Sequence, residues 1–140
     1  MLLREEKKEP RKISSQQLAR LETIKPFIQQ VLDMFTDNKD APASIIYFRS
    51  DVYRYFFLLS FMIEYFEGSE ISQEHAISLV PQRFASRIKR LQVLKHAVKL
   101  GYIIEESSNI DKRRRIYTPS ELLVKDFLDG ANKINSIFQN

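Results

Sequence analysis

The sequence predicts a mainly α-helical fold with a small two-stranded β wing, and three observations predict it. Apolar residues recur at helical spacing over most of the 140 residues. A short helical segment and a long basic one are separated by Pro81. After Gly101 the pattern changes to β-branched and aromatic residues, then to a run of cations.

Residues 1–12 are polar and charged, lack an apolar run of signal-peptide length, and read as a flexible tail ahead of a single domain over residues 13–140. The first helix opens at Ser14, a candidate N-cap, with Gln17 at the reciprocal capping-box position. Leu18, Leu21, Ile24, Ile28, Val31 and Phe35 continue it to about residue 37, and Pro26 is expected to kink or split it. Residues 36–42 form a loop by composition. A second long helix starts near Ser50-Asp51, and its body, Val52 to Phe66, is apolar nearly all round, which predicts burial on most faces. Nine of the 16 aromatic residues lie between Tyr47 and Phe66, more than one small core readily encloses, which points to a partner subunit. Arg54 and Glu64 interrupt this segment, and the charge-free stretch between them, Tyr55–Ile63, is far below the roughly 20 residues that cross a bilayer.

Gly68 ends that helix. Ser72 can cap a short third helix, Gln73 to Leu79, with Ala76, Leu79 and Val80 inside. A fourth helix is expected from Gln82 to Leu100, with Gly101 as its C-terminal cap. Short helix, turn and basic helix, residues 72–100, outline a helix-turn-helix. Tyr102-Ile103-Ile104 and Arg115-Ile116-Tyr117, with Ile116 inside, pair as the wing, residues 101–118. Thr118, Pro119 and Glu121 then read as N-cap, first helical position and capping box of a last helix, residues 119–138, carrying Leu123, Phe127, Ile134 and Phe138, with Gly130 a weak point.

Composition excludes much chemistry. There is no Cys, so thiolate metal sites, disulfides and cysteine nucleophiles are absent. Three scattered glycines cannot build a phosphate-cradling loop. His75 and His96 read as surface residues, and Glu105-Glu106 point to opposite faces of a strand. No catalytic constellation, metal site or cofactor motif emerges, so an enzyme is not expected.

The net charge of +4 is unevenly distributed. Residues 75–115 hold ten basic and three acidic residues, or +7, while the remainder carries −3. That is the footprint of a polyanion binder. On a helical wheel Phe84, Ile88, Leu91, Leu94 and Val98 form the inner side of the basic helix. Gln82, Ser86, Lys89 and Val93 fall on the outer side, with Arg83 and Arg90 flanking and Arg87 closer to the apolar side. Base edges in a major groove are read by Arg and Lys at guanine and by Gln at adenine. Gln82, Arg83, Ser86, Arg87, Lys89 and Arg90 are therefore the candidate contacts of the helix. Lys112, Arg113, Arg114 and Arg115 are those of the wing, since Arg suits a narrow, electronegative minor groove.

Lys99-Leu100-Gly101-Tyr102-Ile103, Asp111-Lys112-Arg113 and the order of elements resemble the MarR-type (multiple-antibiotic-resistance regulator) winged helix-turn-helix family. The resemblance implies wing-supporting and minor-groove roles for Asp111 and Arg113, and dimerisation through the helices at residues 14–37 and 119–138. The expected function is that of a cytoplasmic, homodimeric transcriptional regulator on a pseudo-palindromic duplex, with no membrane association. A winged-helix module for protein contacts and a plasmid or phage replication or partition protein are the alternatives. Whether a small-molecule effector lodges among the aromatics of Tyr53 to Phe66 is left open.

Overall fold

A computed structural model describes residues 12–36 and 40–138, which fall in two compact units, one up to Thr36 and the other after it. The expected tail lies outside the described residues apart from Lys12, as do residues 37–39. Among its described residues the first unit holds one helix, α1 (Ser15–Thr36). Its capping box forms as the sequence suggests. Ser14 N–H donates to Gln17 Oε1 and Gln17 N–H to Ser14 Oγ, both at 3.0 Å. The helix is continuous through Pro26 rather than split. Leu18, Leu21, Ile24, Ile28 and Leu32 are exposed along it.

The second unit begins with a helix that the hydrophobic pattern did not single out, α2 (Ala43–Arg49), entered from extended Pro42. Seven residues are too few to show a clear period, although Ser44 and Phe48 face inward. Then comes α3 (Val52–Phe66), closed by Gly68 at φ +85°. Its expected burial on most faces is corrected. Phe57, Leu58, Phe61 and Met62 are buried, whereas Val52, Phe56, Leu59, Ile63 and Phe66 form an exposed second stripe. A small fold has one core, and one helix face suffices to fill it.

The helix-turn-helix comprises α4 (Gln73–Ser78) and α5 (Arg87–Lys99). Ser72 caps α4, its Oγ accepting from His75 N–H at 3.1 Å. The fourth helix starts five residues later than expected. Residues 82–84 form a turn closed by Phe84 N–H to Pro81 O at 3.0 Å, and Ser86 is the N-cap. At its other end Gly101 takes φ +84°.

Strands β1 (Ile103–Ser107) and β2 (Arg115–Pro119) pair antiparallel, Glu105 opposite Tyr117. The chain before α4 adds a bridge, with Tyr117 N–H donating to Ile71 O at 2.9 Å. Tyr117 and Pro119 are the buried residues of β2, while Ile116 is only half-buried. The last helix, α6 (Glu121–Phe138), is capped by Ser120 rather than Thr118, with Leu123 N–H bonded to Ser120 Oγ at 3.1 Å. Thr118 and Pro119 are instead consumed by pairing with Ile104 and Ile103, at a strand end where a missing N–H is tolerated. Leu123 is buried, and the side chains of Ile134 and Phe138 lie outside the described residues.

These elements enclose a core of Phe48, Phe57, Leu58, Phe61, Met62, Ile71, Ala76, Val80, Val93, Leu94, Ala97, Ile103, Tyr117 and Leu123. Short helix, turn, long helix and hairpin make a winged helix-turn-helix, mainly helical with one two-stranded sheet. Among the described residues no helix is long and apolar enough to cross a membrane.

The α4–α5 corner depends on Arg90. It was an expected surface contact, but it is only 9% exposed. Its Nη1 donates to Ile77 O at 3.1 Å and Val80 O at 3.2 Å, satisfying carbonyls where α4 ends. Arg90→Ala strands both carbonyls and is expected to lower unfolding stability by about 2–4 kcal/mol. Lys89→Ala, one position away and exposed, should stay within about 0.5 kcal/mol. Urea unfolding of the two variants checks the contrast.

Candidate nucleic-acid interface

The sequence of α5 contains no acidic residue. Burial of Arg90, Val93, Leu94 and Ala97 turns its outer face to Ile88, Lys89, Gln92, Lys95, His96 and Lys99. The wheel expected from the sequence is thereby rotated. Ile88, placed inside, is 69% exposed, and Val93, placed outside, is buried. The charge of Arg90 disguised the true inner stripe, because an arginine whose Nη1 is bonded to backbone carbonyls packs among core residues, although its buried Nε has no partner among the described residues. Gln92 was the functional candidate missed. Its signal was Ser86, which as the N-cap removes Phe84 from the helix and with it part of the support for placing Ile88 inside.

The other expected helix contacts divide by environment. Gln82 and Arg83 lie in the exposed turn before α5, with the Arg83 guanidinium 4.8 Å over the Phe84 ring. The Ser86 hydroxyl accepts from Lys89 N–H at 3.2 Å, so it orders the helix start. Arg87 makes a two-pronged pair with Glu74 of α4, at 2.6 and 3.1 Å. That hydrogen bonding holds the Glu74 carboxyl below its ordinary range and raises Arg87. Lys89 is exposed and carries its charge outward.

Two clefts flank the outer face of α5. One, of about 370 Å³, lies against the start of α3 and is lined by Tyr47, Tyr53, Arg54, Lys89, Gln92, His96 and Lys99, among others. There Arg54 sits 4.7 Å over the Tyr47 ring, which meets His96 edge-on. The other cleft runs between the start of α4 and the wing and includes Gln73, Lys95, Glu105, Arg114, Arg115 and Tyr117. His75, expected to be a plain surface residue, instead contacts Glu64 at 2.5 Å. Phe57 stacks with both Phe48 and Phe61 inside the core.

The wing is ordered from its base upward. Ser108 is buried, and its hydroxyl donates to the Glu70 carboxylate at 2.9 Å. The same oxygen accepts from Ile110 N–H at 3.0 Å and Asp111 N–H at 3.3 Å. Asp111 caps the turn, its Oδ1 accepting from Arg113 N–H at 3.0 Å and its carbonyl from Arg114 N–H at 2.9 Å. The Arg113 side chain is 94% exposed. Lys112 and Arg115 are exposed as well, whereas Arg114 lies 3.8 Å from Glu70. Strand and helix are joined where Tyr117 Oη donates to Glu105 Oε2 at 2.5 Å, with Lys95 Nζ 3.9 Å from the same oxygen. Burial, reinforced by the bond to Glu105, pushes the Tyr117 phenol well above its ordinary pKa. Among the described residues no group of three or more His, Asp or Glu is placed to hold a metal ion.

No family profile matches the chain and no curated protein matches it in sequence. Among solved structures, the chain is similar to one titled the crystal structure of apo (heme-free) PefR. The TM-score is 0.46 and the identity 16%, over 85% of this chain and 96% of that one.

Tyr117 supplies a pH test of this architecture. Its folded pKa is raised above the unfolded value of 10, so its contribution to stability is complete below pH 10 and declines as pH rises further. The stability difference between wild type and Tyr117→Phe is expected to narrow between pH 8 and pH 11, as read from denaturant midpoints at both pH values.

Proposed function

We propose that this chain is a sequence-specific, duplex-DNA-binding transcriptional regulator that acts as a homodimer on a pseudo-palindromic site. The observation that carries the reading is the pairing of an acid-free helix face with a hydrogen-bonded cationic wing. A B-DNA major groove admits one α-helix. In this reading α5 enters it, with Lys89 and Gln92 toward base edges and Ile88 against a thymine methyl. Lysine is suited to guanine acceptors, and the glutamine amide to the donor–acceptor pair of adenine. Gln82, Arg83 and Lys99 take phosphates, while Ser86 and Arg87 hold the helix start in place. Arg113 on its Asp111 turn reaches the neighbouring minor groove, with Lys112 and Arg115 on its flanking phosphates and Arg114 braced against Glu70.

The homodimer rests on the exposed stripe of α1 and on Leu122 and Leu128 of α6, which are apolar and open to solvent. A symmetric pair would bury such surfaces and present two copies of α5 about 34 Å apart, one turn of the duplex. A regulator of this kind performs no covalent chemistry, and the cytoplasm is where its substrate lies.

The test is selection of bound duplexes from a random pool, followed by a salt titration. A dimer neutralising roughly 6–10 phosphates should give a log–log slope of about −5 to −9. Gln92→Ala is expected to relax preference at one position per half-site by about 1–3 kcal/mol, and Arg113→Ala to weaken binding to all sequences similarly. Light scattering should return twice the 16.6 kDa chain mass. Absence of duplex binding at about 50 mM salt, where counterion release is strongly favourable, would overturn the reading.

A further inference from the structure

The wing holds an apolar side chain at its tip. Ile110 is 87% exposed, and it follows directly on the hydrogen-bonded turn base at Ser108. Exposed aliphatic residues are common on protein surfaces and usually need no explanation. This one differs in how it is held. The Ile110 N–H is bonded to the hydroxyl of a buried serine, and that serine is anchored to Glu70 in the sequence ahead of α4. Ser108 N–H to Arg114 O at 2.8 Å closes the loop behind it. Four consecutive cation-bearing positions, Lys112 to Arg115, follow within five residues. The loop thus orders a water-exposed aliphatic group beside a concentrated positive charge. The occupant matching both features is a polyanion with an apolar interior reachable between its charges, which describes the stacked bases of a duplex seen from the minor groove.

We infer that Ile110 is a wedge that enters a base step in the minor groove and bends the duplex, while the neighbouring cations hold the flanking phosphates. This rests on the DNA-binding reading and adds to it a contact that reads deformability rather than base edges. Pyrimidine–purine steps unstack most easily, so the wedge favours a TA or CA/TG step at a fixed distance from the positions read by α5. Apolar wedges of this type kink duplexes by roughly 20–90° toward the major groove.

The test uses the full chain and the tightest duplex from the random-pool selection, end-labelled for energy transfer and carrying 2-aminopurine at the flexible step. Wild-type protein is expected to shorten the end-to-end distance and raise 2-aminopurine emission. Ile110→Ala should abolish both signals and weaken binding about tenfold, with an unchanged salt slope because no phosphate contact is lost. Ile110→Phe, which keeps a wedge, should retain them. The thermal midpoints of both variants should equal that of wild type, since the side chain is exposed. Equal bending and emission with wild type and Ile110→Ala would overturn the wedge while leaving DNA binding intact. Failure to recover any duplex would overturn both. Ile110-dependent binding to phosphatidylserine vesicles, with an undistorted duplex, would overturn it in favour of a membrane contact.

Discussion

The Arg90 guanidinium bonded to the carbonyls of Ile77 and Val80 sets the geometry on which the remaining features depend. A six-residue helix such as α4 has little hydrogen bonding of its own, and its last carbonyls have no partner within the helix. By reaching back from α5 to fill them, Arg90 fixes the distance and angle between the two helices and closes the turn over residues 79–86. The Arg87–Glu74 pair binds the same two helices on the solvent side, where it is screened and contributes less. With Arg90 turned inward, Val93, Leu94 and Ala97 follow it into the core, and the opposite residues are directed outward. The chemical character of the α5 surface is therefore a consequence of one buried cation.

The wing obeys a similar logic with different groups. Two short strands are marginal as an isolated hairpin, and they are stabilised here by what they touch. Tyr117 is inserted in the core and its hydroxyl ends on Glu105, which also lies near Lys95 of α5. Ser108 connects the loop to Glu70, so the turn is anchored at both ends. Glu70, Glu74, Glu105 and Asp111, near the proposed interface, thus position basic and hydroxyl groups or backbone amides. The positive charge of Lys112, Arg113 and Arg115 remains directed to solvent, where Coulomb attraction acts at long range.

Much of this was legible in the residues. Ser14 with Gln17 and Ser72 ahead of Gln73 are capping signals whose chemistry is local, and both form. Gly68 and Gly101 mark helix ends because their positive φ is costly for other residues. The Asp111–Arg113 turn is also local, since Asp111 bonds an amide two residues ahead. The errors arise where a distant partner overrides a local signal. Thr118-Pro119 reads as a helix start until Ile104 and Ile103 pair with it, and the cap passes to Ser120. Ile88 and Val93 are both aliphatic, so hydrophobicity alone does not say which of them is inside. Arg90 could not be identified as buried because its partners lie 10 and 13 residues away.

By itself the sequence determined the class of the fold, the order of its elements apart from α2, and the concentration of positive charge between residues 75 and 115. Periodicity, glycines and caps are properties of short segments, so they survive without a three-dimensional context. The tertiary structure alone decided which residues of that basic block meet solvent. It took Arg90 inside, brought Gln92 and Ile88 out, and set Ile110 at the tip of an ordered loop. The physical reason is that burial of a charged group turns on whether carbonyls elsewhere in the chain can satisfy it. Only the folded arrangement supplies those partners.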